Sequence, residues 1–495
     1  MNNETMPNFL IKRAFLTPDR IAVYFQDKAL TFKELYDYSL NVAGQLQGLG
    51  VRKDDFVGVL LKNHLDTVII FFALQLLGVK SVILNNRLTP SELIWQLEDS
   101  TSSLLILEDS FTDIKMVINQ QLASLATITK SDLFAKENDS ADIKEEISLS
   151  DICTIMYTSG TTGHPKGVLQ TYGNHWWSAT GSALNLGFVE SDCWLCSVPL
   201  FHISGFSIIM RSIIYGMPIV LHEKFDVQKT IEDISDKKVT IMSVVGTMLT
   251  SIVDALTVSG LPEHFRCFLL GGGPAPLPLL EACVKKNLPV FQSYGMTETS
   301  SQIVTLSPEY SLSKLGSAGK PLFPSQLRIE LDDHTAASPQ HAGEIVVKGP
   351  NVTAGYLNRP DATKEKIREG WLHTGDIGYV DEEGFLYVLD RRSDLIISGG
   401  ENIYPAEVES VLLSHPDVTE AGVTGTDAAK WGQVPIAFIV KREGAALTLE
   451  EIHQFCLTRL AKYKVPKQFY FAEQLPRNAA KKLLRRHLHE LINEK

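Results

Sequence analysis

The chain has 495 residues, 44% hydrophobic and 21% charged, the balance of an ordinary globular protein with a sizeable core and, by length, roughly three domains. Its formal net charge of −12 argues against a nucleic-acid partner, because neutralising a phosphate backbone needs clustered Lys and Arg. No stretch reaches the ~20 apolar residues that a spanning helix needs, so stable membrane insertion is not expected, and the most apolar run, 68–79, reads as a buried core helix. Residues 1–13 carry Glu4 and no apolar region followed by a cleavage site, so no signal peptide is expected and a reduced, cytoplasmic location is. Cys193 and Cys196 form a C-x-x-C, but no second pair or His motif completes a metal site, and neither zinc nor redox chemistry is expected there.

In chain order, residues 19–150 alternate short apolar strands (21–25, 56–60) with helical patterns such as 31–49. That alternation predicts a mainly parallel sheet covered by helices. Thr31 with Glu34 fits a capping box, and the polar, acidic stretch 130–149 reads as a surface connection. The strand 152–157 runs into a Gly/Thr/Ser loop, 266–270 into Gly271-Gly272-Gly273-Pro274, and 289–293 ends at Tyr294-Gly295-Met296-Thr297-Glu298. Ligands of open α/β sheets bind beyond the carboxyl ends of the strands, so several such loops predict one nucleotide cleft.

From about residue 391 the texture changes. Strand 395–398, helix 406–414, strands 418–424 and 435–441, a helix 448–460 opened by a Thr448/Glu451 capping box, strand 468–472 and a basic final helix follow. The expected fold is therefore α/β. A large N-terminal domain, 1–390, has mainly parallel sheets covered by helices, and a small C-terminal α+β domain, 391–495, sits on a hinge at 390–393.

The chemistry concentrates in Thr158-Ser159-Gly160-Thr161-Thr162-Gly163-His164-Pro165-Lys166-Gly167. Glycines let the backbone approach an anion closely, and successive amides can form an anion-binding nest. The hydroxyls and Lys166 add donors and a positive charge suited to a polyphosphate. It is not a Walker A loop, since Lys166 follows Gly163 by three and precedes glycine.

This stretch resembles the phosphate loop of the adenylate-forming superfamily, which includes acyl- and aryl-CoA ligases, firefly-type luciferases and peptide-synthetase adenylation domains. The resemblance covers essentially the whole chain, with the other motifs in order. Tyr294-Gly295-Met296-Thr297-Glu298 looks like the adenine- and metal-contacting motif. Trp371-Leu372-His373-Thr374-Gly375-Asp376 looks like the ribose motif, with Asp376 accepting from the ribose hydroxyls. Asp390-Arg391-Arg392-Ser393-Asp394 looks like the hinge, with Arg391 as a second nucleotide contact. Leu475 to Leu483 resembles the segment carrying the catalytic lysine, which falls on Lys482. Two positions depart from the pattern: Lys481 stands where Gly is usual, and Ser393 where Asp or Lys is common at the hinge. By charge pattern alone, Lys481, Lys482, Arg485 and Arg486 read as a solvated basic helix face.

The resemblance implies the substrates and cofactors: a small-molecule acid, ATP, Mg²⁺ and coenzyme A. The carboxylate would attack the α-phosphorus of ATP, assisted by Lys482, with Mg²⁺ held partly by Glu298. The small domain would then turn about the hinge and bring Ser398-Gly399-Gly400-Glu401 to a pantetheine tunnel. Oligomeric state stays open, a homo-oligomer included.

Within the superfamily, 173–178, 193–205, 316–323 and 398–409 are most similar to the branch that ligates 2-succinylbenzoate to coenzyme A in menaquinone biosynthesis. His202, in Pro199-Leu200-Phe201-His202, would then line the acyl pocket beside Ser204, Gly205, Ser293 and Gly295. Arg211 interrupts the apolar run 208–214 and must be paired or reach solvent. It is either the partner of the acid's second carboxylate or a snorkelling residue at a helix edge. Another aryl- or acyl-CoA ligase, a stand-alone amino-acid adenylating enzyme, and a non-catalytic nucleotide-binding protein are the rival readings.

Overall fold

The computed structural model describes residues 4–138, 140–158, 165–256, 260–272, 277–331, 333–390, 394, 396–403, 405–476, 483 and 485–492. Two large sheets dominate. In the first, seven strands run in the order Gly355–Tyr356, Lys166–Thr171, Ile152–Thr158, Lys80–Ile83, Phe56–Leu60, Leu104–Leu107 and Ala126–Thr129. Its last five strands are parallel, and the first two are added antiparallel at one edge.

The second sheet is mixed. Parallel neighbours Trp194–Cys196, Ile241–Val245, Cys267–Gly271 and Val290–Met296 form its centre. Beyond Val290–Met296 every pairing is antiparallel, through Ser301–Leu306 and Ser317–Pro321 to Leu386–Asp390, Trp371–Val380 and Gly343–Lys348.

Local signals explain the elements. Thr31 and Glu34 exchange the bonds of a capping box and open the helix Phe32–Gly48. The helix Leu65–Leu76 is buried at every residue but Asp66, as its mostly apolar sequence requires. It belongs to the largest core cluster, together with Phe206, Leu195 and Phe268. No helix among the described residues is long and apolar enough to cross a membrane.

The C-terminal part has its own sheet, built on Val418–Ala428 and Gly432–Lys441. Alternation along Gly432–Lys441 sends Ala437 and Ile439 into one cluster and Ile436 and Phe438 into another. Thr448 and Glu451 form the expected capping box on Leu449–Leu457.

Three expectations are corrected. The stretch 130–149 is more than a surface connection: it holds the helix Lys130–Phe134 and the strand Glu146–Ser148, which pairs with Thr5–Pro7. The ammonium of Lys130 is drawn inside by Glu108 at 3.0 Å. The described part of the final helix, Arg485–Ile492, is a 3₁₀ helix, and Arg485 is not on a solvated face. Its guanidinium bonds both oxygens of Glu409, at 2.8 and 2.6 Å, and Asp394 at 2.6 Å. Finally, Arg211 does not snorkel, being only 1% exposed.

Cys193 and Cys196 are buried free thiols, both pushed up to about 12 chiefly by burial.

Candidate active site

The Gly/Thr/Ser loop closes a hairpin. Thr158 ends one strand opposite Lys166, which begins its antiparallel partner, so chain entry and exit are fixed by the sheet. Ser159, Gly160, Thr161, Thr162 and Gly163 themselves lie outside the described residues. The ammonium of Lys166 stands 5.5 Å from the centre of the Tyr356 ring. The Tyr356 hydroxyl donates to Glu298 Oε1 at 3.0 Å.

Glu298 sits in the 3₁₀ turn Thr297–Thr299 directly after the strand Val290–Met296. The turn is pinned to the first sheet, because Gln170 Nε2 donates to the Thr297 carbonyl at 2.9 Å and the Thr353 amide to the Glu298 carbonyl at 2.7 Å. Burial raises the Glu298 carboxyl above its ordinary value. On the same strand, the Tyr294 hydroxyl donates to Asp376 Oδ2 at 2.6 Å. The second sheet thus gathers Tyr294, Glu298 and Asp376, and the first supplies Lys166 and Tyr356. Gly271 ends its strand and Gly272 turns with φ +88°; Gly273 and Pro274 lie outside the described residues.

The residues expected to line an acyl pocket gather on and around the helix Ile203–Tyr215. His202 is its N-cap but makes no capping bond, which leaves the imidazole to face the C-terminal part. Ser204, Ser207 and Arg211 share one helix face by their spacing. Arg211 Nη2 donates to Ser301 Oγ at 3.1 Å, its guanidinium lies 5.0 Å from the Trp194 ring centre, and its buried Nε has no partner. Among the described residues no carboxylate pairs with it.

Ser301 holds φ +117° and Ser300 φ +53°, a strained pair of the kind found at ligand sites. Two glycines of this region are bare for packing reasons. A Cβ on Gly205 would stand 2.2 Å from the Pro199 carbonyl oxygen, and one on Gly295 2.2 Å from that of Ser301. Ser293 Oγ donates to the Leu270 carbonyl at 2.9 Å, next to Gly271.

The third face comes from the C-terminal part. Ser398 and Glu401 are paired across a two-residue hairpin whose tip is Gly399, φ +58°, and Gly400, φ +86°. A tight hairpin of this hand needs positive φ at both positions, hence Gly-Gly. The hairpin presses on the N-terminal part: a Cβ on Gly400 would be 3.4 Å from Val245 Cγ2. The buried Glu401 carboxylate bonds Arg87 Nη1 and accepts from His202 Nε2 at 3.2 Å. Burial, with the Arg87 charge nearby, pulls the His202 imidazole down to about 4, so it is neutral at pH 7. Below this contact Lys464, buried, bridges Glu407 at 2.6 Å and Glu92 at 3.0 Å. Burial alone would lower the lysine, but the two carboxylates raise it and keep it charged.

Arg391, Ser393, Lys481 and Lys482 lie outside the described residues. Arg87, Glu92, Ser207, Ser301, Glu344 and Tyr356 were not picked out by sequence reasoning. None belongs to a motif of the resemblance, and the contacts that bring each to the site join segments distant in sequence.

Glycine-bearing strand ends in two sheets, a buried arginine and a C-terminal hairpin seated on Arg87 and His202 fit the enzyme class that the comparisons show. Residues 11–357 match the AMP-binding enzyme family and residues 407–482 the AMP-binding enzyme C-terminal domain; the chain belongs to this adenylate-forming family.

Among relatives, the 2-succinylbenzoate–CoA ligase of Geobacillus sp. (strain WCH70) is 58% identical over 488 residues, 99% of this chain and 98% of the relative. That of Bacillus cereus (strain ATCC 14579) is 55% identical over 491 residues, 99% of each. Among solved structures, a double mutant of Bacillus subtilis o-succinylbenzoate CoA synthetase bound with its product analogue OSB-NCoA superimposes with TM-score 0.94, at 52% identity and 98% coverage of both chains. The same enzyme in complex with the acyl-adenylate OSB-AMP, at equal identity and coverage, gives 0.77. With identity and coverage equal, that gap reflects how the parts are arranged.

Proposed function

We propose that this chain ligates 2-succinylbenzoate to coenzyme A through an acyl-adenylate, in menaquinone biosynthesis, and that it does so in the cytoplasm. In the first step a carboxylate oxygen of the acid attacks the α-phosphorus of ATP and pyrophosphate leaves. In the second the coenzyme A sulfur attacks the acyl carbon, AMP leaves and the thioester remains.

The observation that carries the choice of acid is Arg211. A guanidinium 1% exposed, with an unpartnered Nε and no carboxylate partner among the described residues, is a buried charge awaiting an anion. An acid that keeps a second carboxylate after the first is activated supplies it. Ser204, Ser207 and Ser301 give that anion a polar approach from the same face.

The remaining roles extend the family motifs to the geometry described. Asp376, steadied by Tyr294, accepts from the ribose hydroxyls, with Arg391 as a further contact. The 158–167 loop and Lys166 hold the phosphates, while Gly271–Pro274 and Tyr294–Thr297 border the adenine. Among the described residues no cluster of three metal-type side chains occurs, which suits Mg²⁺, an ion bound by one or two carboxylates plus substrate phosphates. Glu298, with its carboxyl raised by burial, would hold it, and when bound it neutralises phosphate charge. Lys482 stabilises charge building on the carboxylate and α-phosphate.

The domain boundary at 390/391 is supported by the end of the strand Leu386–Asp390 and by the separate core beyond it. The arrangement here corresponds to the thiol step. The hairpin Ser398–Glu401 reaches His202 and Arg87, and the fit is closer to the relative holding a coenzyme A product analogue than to the one holding an adenylate.

Pyrophosphate exchange measured with 2-succinylbenzoate beside benzoate, medium-chain fatty acids and amino acids tests the reading. Preference for 2-succinylbenzoate is expected, and preference for any other acid would overturn it.

A further inference from the structure

Asp376 lies within a strand, yet its carboxylate must leave the ladder to meet a nucleotide. The register shows how. The strand Trp371–Val380 pairs with Gly343–Lys348 at Ile377↔Glu344 and next at His373↔Val346, so Thr374-Gly375-Asp376 all face the single residue Ile345. Such a bulge bends its strand and re-aims a side chain. Gly375 permits it at φ +79°, but a bulge also frees backbone groups that need partners. Those partners are specific. Glu344 Oε1 accepts the Gly375 amide at 2.8 Å, and Glu344 Oε2 accepts from Nδ1 of the buried His373 at 3.2 Å. The Thr374 hydroxyl donates to the Ile345 carbonyl at 2.6 Å and accepts the Asp376 amide at 3.0 Å.

We propose that Glu344 is a positioning residue for the nucleotide. It clamps both ends of the turn His373–Gly375 and so aims Asp376 at the ribose, with Thr374 completing the clamp. The inference rests on the ribose role given to Asp376 above. Nothing touches substrate through Glu344 itself; its effect passes through one carboxylate.

The test is the selectivity for ATP over 2′-deoxy-ATP in the full chain, read as the ratio of kcat/KM values with 2-succinylbenzoate and coenzyme A saturating. Asp376→Ala should collapse the ratio by about tenfold or more, since a bond to a charged acceptor is lost. Glu344→Ala should collapse it similarly, leave the KM values for acid and coenzyme A unchanged, and add nothing in the double variant with Asp376→Ala. Glu344→Gln, whose amide oxygen can still accept the Gly375 amide, should recover most of the ratio. Thr374→Val, nearly the same shape without the hydroxyl, should lower it and serves if Glu344→Ala does not fold. If Glu344→Ala and Thr374→Val slow both nucleotides alike while Asp376→Ala collapses the ratio, the clamp is merely structural and the proposal fails. If Asp376→Ala leaves the ratio intact, the ribose assignment falls and this proposal with it.

Discussion

At the scale of single residues, the chemistry turns on charges whose partners are missing or shared. Arg211 holds a cation in an apolar helix, with a serine hydroxyl, a tyrosine hydroxyl and an indole face against it and no carboxylate among the described residues. Neutral acceptors do not cancel the charge, so a ligand carboxylate gains more there than at an exposed arginine. Arg211→Ala should therefore raise KM for 2-succinylbenzoate strongly, by about 10²-fold for a charged bond of roughly 3 kcal/mol. Two monocarboxylic analogues, 3-benzoylpropionate and 2-butanoylbenzoate, each lack one carboxylate. Whichever of them is still activated should be little affected by the substitution. Equal loss for both acids in steady-state kinetics would mean general packing damage instead.

Lys482 offers a second residue-level test. Its loss should slow adenylation by ~10²–10³, the usual effect of removing one preorganised stabilising group. Preformed acyl-adenylate should still be converted to thioester at near-normal rate, and Lys481→Ala should leave both half-reactions alone. Sensitivity at Lys481 would shift the assignment by one residue.

At the scale of elements, turns and bulges matter more than helices. The hairpin Ser398–Glu401 delivers Glu401 to Arg87 and His202 only because Gly399 and Gly400 both hold positive φ. In Gly399→Ala the new Cβ would meet Trp431 Cε3 at 2.7 Å in a left-handed conformation, a strain of order 1 kcal/mol or more. The expected outcome is a slower thiol step with adenylation preserved, measured as separate half-reactions. An unchanged thiol step would show that the hairpin does not shape the second half-reaction.

Much of this level was legible beforehand. The capping boxes at Thr31 and Thr448 bind side chain to backbone within four residues, and the strand 152–157 is continuous and apolar, so local chemistry suffices for both. The Thr374–Asp376 bulge was not legible, because its existence depends on a register with Gly343–Lys348 that no local pattern encodes. Nor was the burial of Lys130, which depends on Glu108 at the end of the neighbouring strand, 22 residues back in the chain.

At the scale of the whole molecule, the question is what holds one domain arrangement against another. Lys464 lies between Glu407 of its own domain and Glu92 of the other, where Glu92 also caps its helix through Thr89. Glu92→Gln keeps the capping acceptor but removes the charge across the interface, while Glu407 still partners the lysine. A slowing of about tenfold in the thiol step is expected, equal to roughly 1.4 kcal/mol, with adenylation and thermal stability nearly unchanged. Slowing of both half-reactions together would assign Glu92 to the fold and not to the arrangement.

The sequence by itself determined the class of fold, the order of the motifs and a polyphosphate-suited loop, while the reaction entered through the family resemblance those motifs carry. Fold class, motifs and loop depend on glycines, hydroxyls and charges brought together by neighbours in the chain, where local geometry and residue type are enough. Only the tertiary structure decided that Arg211 is buried without a carboxylate among the described residues, that Arg485 is locked to Glu409 and Asp394, and that Glu401 meets both Arg87 and His202. A charge reveals its partner, or the lack of one, only when segments hundreds of residues apart have packed. Desolvation and pairing are properties of that packing and not of the residues alone.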